Sequence, residues 1–364
     1  MKPTLQPYDG LLLISFGGPE SPEEVMPFLL RVTAGRGIPQ ERLDEVAARY
    51  HERGGVSPIN AETRNLADAL RTELERRGLG DIPLEIGNRN APPFLSQALG
   101  RLAEQGASHV LSLTTSAYPS YPSCRQYQEN VADALAEVPR EMTVDRIRHY
   151  AHHPGFVAAN IEAVVEAVGR LGTGQRHSPT RLVFVTHSLP DEIAETSGPP
   201  PWDPPGSYVD WHLTLAHNIA DNASIAMGRD LPWDLAFCSR SGAPHQTWLE
   251  PDVKDLLTDL AERGTTQVVL APIGFTSDHM EVVWDLDGEA VPHAEALGLK
   301  VARAATARTH PAFVGGLVDL MLERATVARG EQVLPAVIDH GSPGRHTCPG
   351  DCCPHPMRRG APTA

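Results

Sequence analysis

The strongest constraint on the fold is a set of three fragments that recur, in the same order, in the two halves of the chain. Residues 11–19 parallel 182–190, residues 81–86 parallel 230–235, and residues 99–106 parallel 257–264. Each pair alone is weak, because similar secondary structure could produce it. Their shared order favours an internal duplication, and 364 residues are enough for two domains.

Apolar runs alternate with helical patterns along the chain. The predicted strands are 11–16, 84–87, 110–115, 182–186, 233–238 and 268–273. Ser21 and Pro22 are typical of a helix start, and a longer helix is predicted from Asn60 to Gly78. Strands separated by helices indicate an α/β protein with parallel sheets covered on both faces. Such sheets bind ligands beyond the carboxyl ends of their strands, so two facing halves predict one cleft between them.

The composition restricts the partners. A net charge of −15 argues against nucleic acid or an anionic membrane surface as the main partner. The sequence contains no apolar run of the roughly 18 residues that a membrane span needs, and the apolar stretch 11–16 is short for a signal peptide. Five cysteines do not make a disulfide scaffold. We expect a cytoplasmic monomer without membrane insertion.

His187 directly follows an apolar strand and is the first candidate for chemistry. An imidazole at the carboxyl end of a strand lies where α/β proteins place their sites, and it can accept a proton or ligate a metal. The alternative is a hydrogen-bonded loop histidine, since the chain has 16 histidines.

Three carboxylates at a spacing of four residues form the second candidate: Glu281, Asp285 and Glu289. In an α-helix this stripe drifts by about 40° per step, and a π-bulge would straighten it. Like charges at this spacing repel one another, and a divalent cation would relieve the repulsion. The alternative is a solvated acidic face.

The segments around these residues resemble the ferrochelatase family. Its motif His-Ser-x-Pro matches residues 187–190, and its motif Asp-His-x-Glu-Val-x-x-Asp-x-Asp matches residues 278–287. Further matching segments are 16–19, 35–37, 54–59, 239–242 and 248–253. The resemblance covers about residues 8–328 and implies a lyase of haem biosynthesis that inserts Fe²⁺ into a porphyrin.

The same resemblance implies a chelatase-like fold of two similar Rossmann-like domains, each with a four-stranded parallel sheet, and a cleft between them. The expected domains are 1–150 and 151–307, with 308–330 packing back on the first and 331–364 forming a cysteine-containing tail. His187 and Glu281 are implied as the catalytic residues and inner metal site. Asp285 and Glu289 are implied as an outer metal path.

Six residues are candidates for binding the substrate. The resemblance places Ser57 and Tyr127 on the porphyrin, and it suggests arginines as partners for the porphyrin carboxylates. The candidates are Ser57, Tyr127, Phe16, Arg36, Arg89 and Arg125. Some soluble relatives carry Tyr where this chain has Phe16, and a phenyl ring cannot ligate the metal from that side.

Residues 40–45 are charged where membrane-associated relatives have a hydrophobic lip. The chain therefore resembles the soluble bacterial branch, whose substrate, coproporphyrin III, has four propionates against two in protoporphyrin IX. Three alternatives stay open: a protoporphyrin IX ferrochelatase, a cobalt or nickel chelatase, and a haem carrier or Fe–S redox sensor. A sensor could lose His187 or Glu281, and both are present. A downstream enzyme of haem synthesis is a conceivable partner.

Four cysteines resemble the one internal and three C-terminal ligands with which some ferrochelatases hold a [2Fe–2S] cluster. They are Cys124, Cys348, Cys352 and Cys353. The alternatives are a zinc site, a disulfide or a mobile tail with incidental thiols. Cys238 is predicted to be a buried core thiol. The tail histidines His340, His346 and His355 are predicted to be solvated.

Overall fold

Two parallel sheets of four strands dominate the structure. The computed structural model describes residues 3–35, 37–172, 180–204, 206–241 and 246–355. The first sheet has the order β2-β1-β3-β4, and the second has the order β6-β5-β7-β8. The strands are β1 (Gly10–Ser15), β2 (Leu84–Asn88), β3 (His109–Thr114), β4 (Thr143–Arg146), β5 (Thr180–His187), β6 (Trp233–Cys238), β7 (Gln267–Ala271) and β8 (Lys300–Arg303). The repeated order is the one that a duplication predicts.

Helices cover the sheets. They are α1 (Pro22–Val32), α2 (Gln40–Glu52), α3 (Ile59–Arg76), α4 (Leu95–Glu104), α5 (Gln126–Leu135), α6 (Pro154–Leu171), α7 (Asp191–Glu195), α8 (Ser207–Met227), α9 (Val253–Glu262), α10 (Val291–Ala296) and α11 (Pro311–Ala328). Two further segments, Tyr121–Arg125 and Val282–Ala290, are π-helical. The central strands β1 and β5 are almost wholly buried, as expected of parallel strands covered on both faces. The predicted fold class is confirmed.

Helix α11 packs against α6 and α3 and so lies across both halves of the sequence. Its apolar side chains Phe313, Leu317 and Met321 are buried in the largest hydrophobic cluster. Arg77, directly after α3, donates to Asp319 of α11 at 2.5 Å. The family resemblance implied that this segment packs back on the first half, and its apolar residues are buried on several sides.

The tail beyond α11 is held against the first half. Arg148 is 1% exposed and donates to the backbone carbonyls of Ala336 and Pro343 at 3.0 and 2.8 Å. The same guanidinium pairs with Glu323 of α11 at 2.6 Å. A single buried cation thus joins the end of β4, helix α11 and the tail.

The sequence missed two strands. Strands β4 and β8 have four residues each, lie at one edge of their sheets and carry charged side chains. Such short edge strands lack the apolar run on which the prediction depends. Within the described residues, no helix combines the length and the hydropathy needed to cross a membrane.

Candidate active site

A cleft of about 730 Å³ opens between residues of the two halves. Its walls are Glu52, Arg53, Val56 and Pro58 on one side and Met280, Val283, Trp284 and Gly288 on the other. The first group lies between α2 and α3, and the second lies on and just before the second π-helical segment. The apolar side chains among them suit a flat apolar ligand.

His187 ends strand β5 beside this cleft. Its Nδ1 contacts the carbonyl oxygen of Ser188, and because a carbonyl only accepts, Nδ1 carries the proton. In the neutral form of the ring Nε2 is therefore the nitrogen without a proton, and it lies 3.6 Å from Oε2 of Glu281. Two acceptors that face each other at this distance are suited to share a proton or a cation.

The backbone around His187 is fixed by a buried polar network. Tyr208 donates its hydroxyl to the carbonyl of His187 at 2.9 Å. Thr186 Oγ1 contacts Tyr208 Oη at 2.9 Å and His212 Nε2 at 2.8 Å. The ring of Tyr118, from the first half, stacks on His212 at 3.6 Å. A Cβ on Gly274 would come within 2.1 Å of Thr186 Oγ1, so a glycine is required for the close approach.

Glu281 directly precedes the π-helical segment Val282–Ala290, which carries the other two carboxylates. Its side chain is 52% exposed, whereas Asp285 is partly buried and accepts a hydrogen bond from Ser239. Burial raises the pKa of Asp285 to about 6, and the charges of Glu281 and Glu289 act in the same direction. The stripe predicted from the sequence is thus one electrostatically coupled group, and a bound cation would relieve its repulsion.

Glu289, the last carboxylate of the stripe, accepts hydrogen bonds from two side chains. Lys254 Nζ donates to one oxygen at 2.7 Å, and Trp284 Nε1 donates to the other at 2.8 Å. Burial alone would raise the pKa of Glu289, but Lys254, Trp284 and the charge of Arg49 lower it. Glu289 is therefore a carboxylate near neutral pH. Within the described ranges, no group of three or more His, Cys, Asp or Glu side chains is placed to hold a metal ion.

Three of the predicted substrate residues of the first half lie close to one another, outside the lining of the large cleft. Tyr127 is buried, and the guanidinium of Arg89 lies 4.6 Å from its ring and 5.6 Å from the ring of Phe16. Arg89 Nε donates to Asn130 at 2.7 Å, which orients the guanidinium. Ser57 is 4% exposed and its backbone N–H donates to the loop after β1. These residues were candidates from the sequence, but their contacts with one another could not be predicted from it.

The structure describes only one of the two remaining arginines that were predicted to bind the substrate. Arg125 donates to the carbonyl of Gly350 at 2.6 Å and lies 3.6 Å from Glu129, so its guanidinium is engaged with the tail. Arg36 lies outside the described residues. Arg53 and Trp284, which line the cleft, were missed, although Trp284 stands inside the motif that carries Glu281.

Comparison with known proteins identifies the family. The ferrochelatase family profile matches residues 8–325, which is most of the chain. The chain belongs to the ferrochelatase family.

Individual relatives agree with this assignment. The chain is 48% identical to the coproporphyrin III ferrochelatase of Streptomyces coelicolor, over 96% of this chain and 94% of that protein. It is 43% identical to the protein of the same name from Nocardia farcinica, over 86% and 88%. Among solved structures, SirB from Bacillus subtilis with Fe³⁺ has a TM-score of 0.48 at 14% identity, covering 88% of this chain and 97% of that chain.

The four cysteines that the resemblance singled out come together in this ferrochelatase. Cys124 lies in the first π-helical segment, and Cys348, Cys352 and Cys353 lie in the tail. Cys348 is within hydrogen-bonding reach of the thiols of both Cys124 and Cys352. The sulfurs of Cys352 and Cys353 are 3.8 Å apart. The tail brings its three cysteines next to Cys124, although they are far from it in the sequence.

Three donors surround these sulfurs. Arg146 Nη2 donates to Cys348 Sγ at 3.0 Å, the backbone N–H of Gly198 donates to Cys353 Sγ at 3.0 Å, and Gln128 Nε2 donates to Cys124 Sγ at 3.2 Å. Hydrogen bonds from Cys124 and Cys352, with the charge of Arg146, lower the pKa of Cys348 to about 2. The surroundings therefore favour thiolate at Cys348, which is the form that binds metal.

A cavity of about 240 Å³ lies beside the sulfurs, between the first sheet and the tail. Cys124, Cys348, Arg146, Arg148 and His149 contribute to its lining. A [2Fe–2S] cluster needs four thiolates divided between two irons and carries net negative charge. The neighbouring sulfurs, the two guanidiniums and this space agree in chemistry with such a group, but among the described residues no three of the thiols are arranged around one metal position.

Two further side chains complete the comparison with the sequence. Cys238 is 2% exposed at the end of β6, as predicted for a core thiol. The prediction that His346 is solvated is wrong, because its ring is 18% exposed and lies 3.0 Å from the buried carboxylate of Glu323. The partner belongs to α11, more than twenty residues earlier, so local sequence gave no signal for it.

Proposed function

We propose that this protein is a coproporphyrin III ferrochelatase, which inserts Fe²⁺ into coproporphyrin III and releases two pyrrole protons. The observation that carries the proposal is the pair His187 Nε2 and Glu281 Oε2, which face each other at 3.6 Å beside an apolar cleft. The names of the relatives from Streptomyces coelicolor and Nocardia farcinica support the choice of substrate.

In this proposal His187 accepts the pyrrole protons. The two pyrrole N–H bonds break one after the other, and each electron pair stays on nitrogen for the entering iron. Each proton moves to Nε2, which passes the first proton through Glu281 to solvent before it accepts the second. The Nδ1 contact with the carbonyl of Ser188 keeps Nε2 as the accepting atom. Tyr208 holds the backbone of His187 and acts as a positioning residue.

Fe²⁺ is the second substrate and has to lose water without being trapped. A single imidazole and a single carboxylate bind Fe²⁺ more weakly than a set of thiolates would, so His187 and Glu281 can pass it on. Asp285 and Glu289 are proposed as the outer path, since they continue the stripe away from Glu281.

The porphyrin is proposed to lie between the two walls of the cleft. In this proposal Phe16 and Tyr127 supply apolar surface, and Arg89 and Ser57 bind its rim groups; the contacts of Arg89 with the rings of Phe16 and Tyr127 support this grouping. Arg36 and Arg125 stay candidates for rim carboxylates, and Arg125 would first have to leave Gly350 and Glu129.

We also propose domains 1–150 and 151–307, with 308–330 packed on the first, and a cytoplasmic monomer that passes its product to a downstream enzyme.

We further propose that Cys124, Cys348, Cys352 and Cys353 hold a [2Fe–2S] cluster. Such a cluster supplies one-electron chemistry when bound. Arg146, Gln128 and the N–H of Gly198 donate to the sulfurs, and the tail supplies three of the four ligands. Protein purified from iron-replete cells should show visible absorbance and acid-labile sulfide, both lost in Cys348→Ser. Stoichiometric zinc, or a disulfide without sulfide, would contradict the cluster.

The function is tested by anaerobic Fe²⁺ insertion by the purified protein, with coproporphyrin III and protoporphyrin IX compared in parallel. We expect the higher kcat/KM with coproporphyrin III. A preference for protoporphyrin IX would keep the ferrochelatase activity and overturn the substrate. Tight binding of both porphyrins without turnover would indicate a carrier or a sensor instead.

A further inference from the structure

We propose that Arg53 determines the specificity for the tetrapyrrole by binding one of the two propionates that coproporphyrin III carries and protoporphyrin IX lacks. The inference rests on the proposed function and names a contact within that site. Arg53 directly follows α2 and lines the large cleft, opposite the π-helical segment that continues from Glu281.

The π-helical segment is shaped to receive this side chain. The Arg53 guanidinium carbon lies 5.9 Å from the centre of the Trp284 ring, a cation–π distance. A Cβ on Gly288 would lie only 2.8 Å from Arg53 Nη2, so the absence of a side chain at Gly288 makes room for the guanidinium. The guanidinium of Arg53 therefore lies against the face of the Trp284 ring and beside Gly288. Neither contact uses the hydrogen-bond donors of the guanidinium.

The charge of Arg53 is available to a ligand. Its side chain is exposed, and within the described ranges no carboxylate forms an ion pair with it. Arg42, eleven residues earlier, instead pairs with Glu45 at 2.6 Å. Two carboxylates lie in the neighbourhood: Glu52 on the same wall, and Asp287, which is paired with Arg303 at 2.6 Å. A guanidinium fork next to an apolar cleft is suited to a carboxylate at the edge of a flat ligand.

The position separates Arg53 from the other rim candidates. Arg89 and Tyr127 cluster around Phe16, whereas the wall at Arg53 is made with Val56, Pro58, Met280, Val283 and Trp284. Arg49 also lies over the Trp284 ring, at 5.5 Å, but Arg53 is the arginine that lines the cleft. A vinyl group in place of the propionate would leave that cation unpaired, which gives discrimination between the two porphyrins. Trp284 also donates to Glu289, so the rim contact is joined to the outer metal path.

The test compares Arg53→Gln and Arg53→Lys with the matched control Arg42→Gln. Dissociation constants for coproporphyrin III and protoporphyrin IX are measured by porphyrin fluorescence in one detergent-containing buffer at two salt concentrations. For coproporphyrin III, we expect Arg53→Gln to weaken binding roughly five- to tenfold, the range of one charge-assisted contact, and Arg53→Lys to weaken it less. Binding of protoporphyrin IX should change less than about twofold, as should both affinities in the control.

Equal weakening of both porphyrins by Arg53→Gln, or no weakening of either, would overturn the assignment. Circular dichroism and urea unfolding verify that each variant is folded, and Trp284→Phe provides a second variant. It keeps an aromatic face under Arg53, so it should preserve the preference for coproporphyrin III. If the unaltered protein itself neither binds nor converts coproporphyrin III, the proposed function fails, which is a different result from an unchanged Arg53→Gln.

Discussion

The loops after β1 and β5 occupy equivalent positions in the two halves, yet they have different chemistry. In the internal repeat, Ser15 and Phe16 correspond to Thr186 and His187. Ser15 and Thr186 are both fully buried, and each hydroxyl is bonded within its own half. The next residue is a phenyl ring in one half and an imidazole in the other. The two halves thus share the buried hydroxyl and differ in the residue that follows it, which is apolar in one half and can accept a proton in the other.

The two halves also share a structural feature that the repeated sequence fragments do not show. In each half the third strand of the sequence, β3 or β7, is followed by a π-helical segment that leads into an α-helix. The segment Tyr121–Arg125 carries Cys124, and the segment Val282–Ala290 carries Asp285 and Glu289. π-Helical turns are frequent at functional sites. Here the same local irregularity presents a thiol in one half and carboxylates in the other.

The largest expected difference between the halves is catalytic. We expect His187→Ala to lower kcat for Fe²⁺ insertion by roughly 10²- to 10⁴-fold, because the proton acceptor is lost. Phe16→Ala at the equivalent position should leave kcat within about threefold and raise the porphyrin KM, because it removes only apolar surface. Anaerobic insertion kinetics on folded variants measure both. Equal losses in kcat would break the comparison between the two loops.

The next difference concerns stability. Arg148 and Glu323 form a buried pair at 2.6 Å, whereas Arg181 and Asp234 of the second sheet are about one-third exposed. Arg148→Met should lower the free energy of unfolding by about 3 kcal/mol, because it leaves a buried carboxylate with His346 as its remaining partner. Arg181→Met, the matched control, should cost no more than about 1 kcal/mol. Urea unfolding at neutral pH measures both, and equal costs would contradict the difference in burial.

The pH dependence sharpens this prediction. Although burial opposes it, His346 and Arg148 lower the pKa of Glu323 from 4.5 to about 2. A lowered pKa means that the pair stabilises the fold fully above pH 4.5 and loses that contribution as the pH falls towards 2. The difference in stability between the unaltered protein and Arg148→Met should therefore shrink below pH 4.5. A difference that stays constant over that range would contradict the role of Glu323.

The smallest effect is expected at Ser239, whose hydroxyl donates to Asp285. Ser239→Gly suits the positive φ of 64° at this position and removes the donor, so the pKa of Asp285 should rise above its value of about 6. The KM for Fe²⁺ should increase roughly two- to fivefold at pH 6 and less at pH 8, where Asp285 is ionised in both proteins. Exposed Ser241 provides the control Ser241→Gly. An increase independent of pH would contradict this explanation.

Much of the fold followed from local patterns. Helix α11 falls within the segment 308–330 that only the family resemblance singled out, whereas the buried strands were predicted within one or two residues because they are apolar throughout. Strands β4 and β8 were missed, since an edge strand needs a neighbour more than an apolar run. His187 and Glu281 were found because each stands in a distinctive motif.

The rest of the site depends on contacts between distant residues. The cation at Arg53 is opposed by Trp284 and Gly288, more than two hundred residues later. His346 and Arg125 resemble solvated side chains in sequence and acquire partners only when the tail docks. Local sequence propensity carries no information about contacts between distant residues. These pairs can therefore be identified only from the folded structure, with the two sheets and the tail in place.

The tail also sets an order of events during synthesis. Cys348, Cys352 and Cys353 leave the ribosome after both sheets, whereas Cys124 is made in the first half. In the folded protein the four sulfurs meet where Arg146 and Arg148 hold the tail against the first half. Completion of the four-sulfur group marks a chain that was translated through residue 353 and folded correctly, so a truncated or misfolded copy would remain without it.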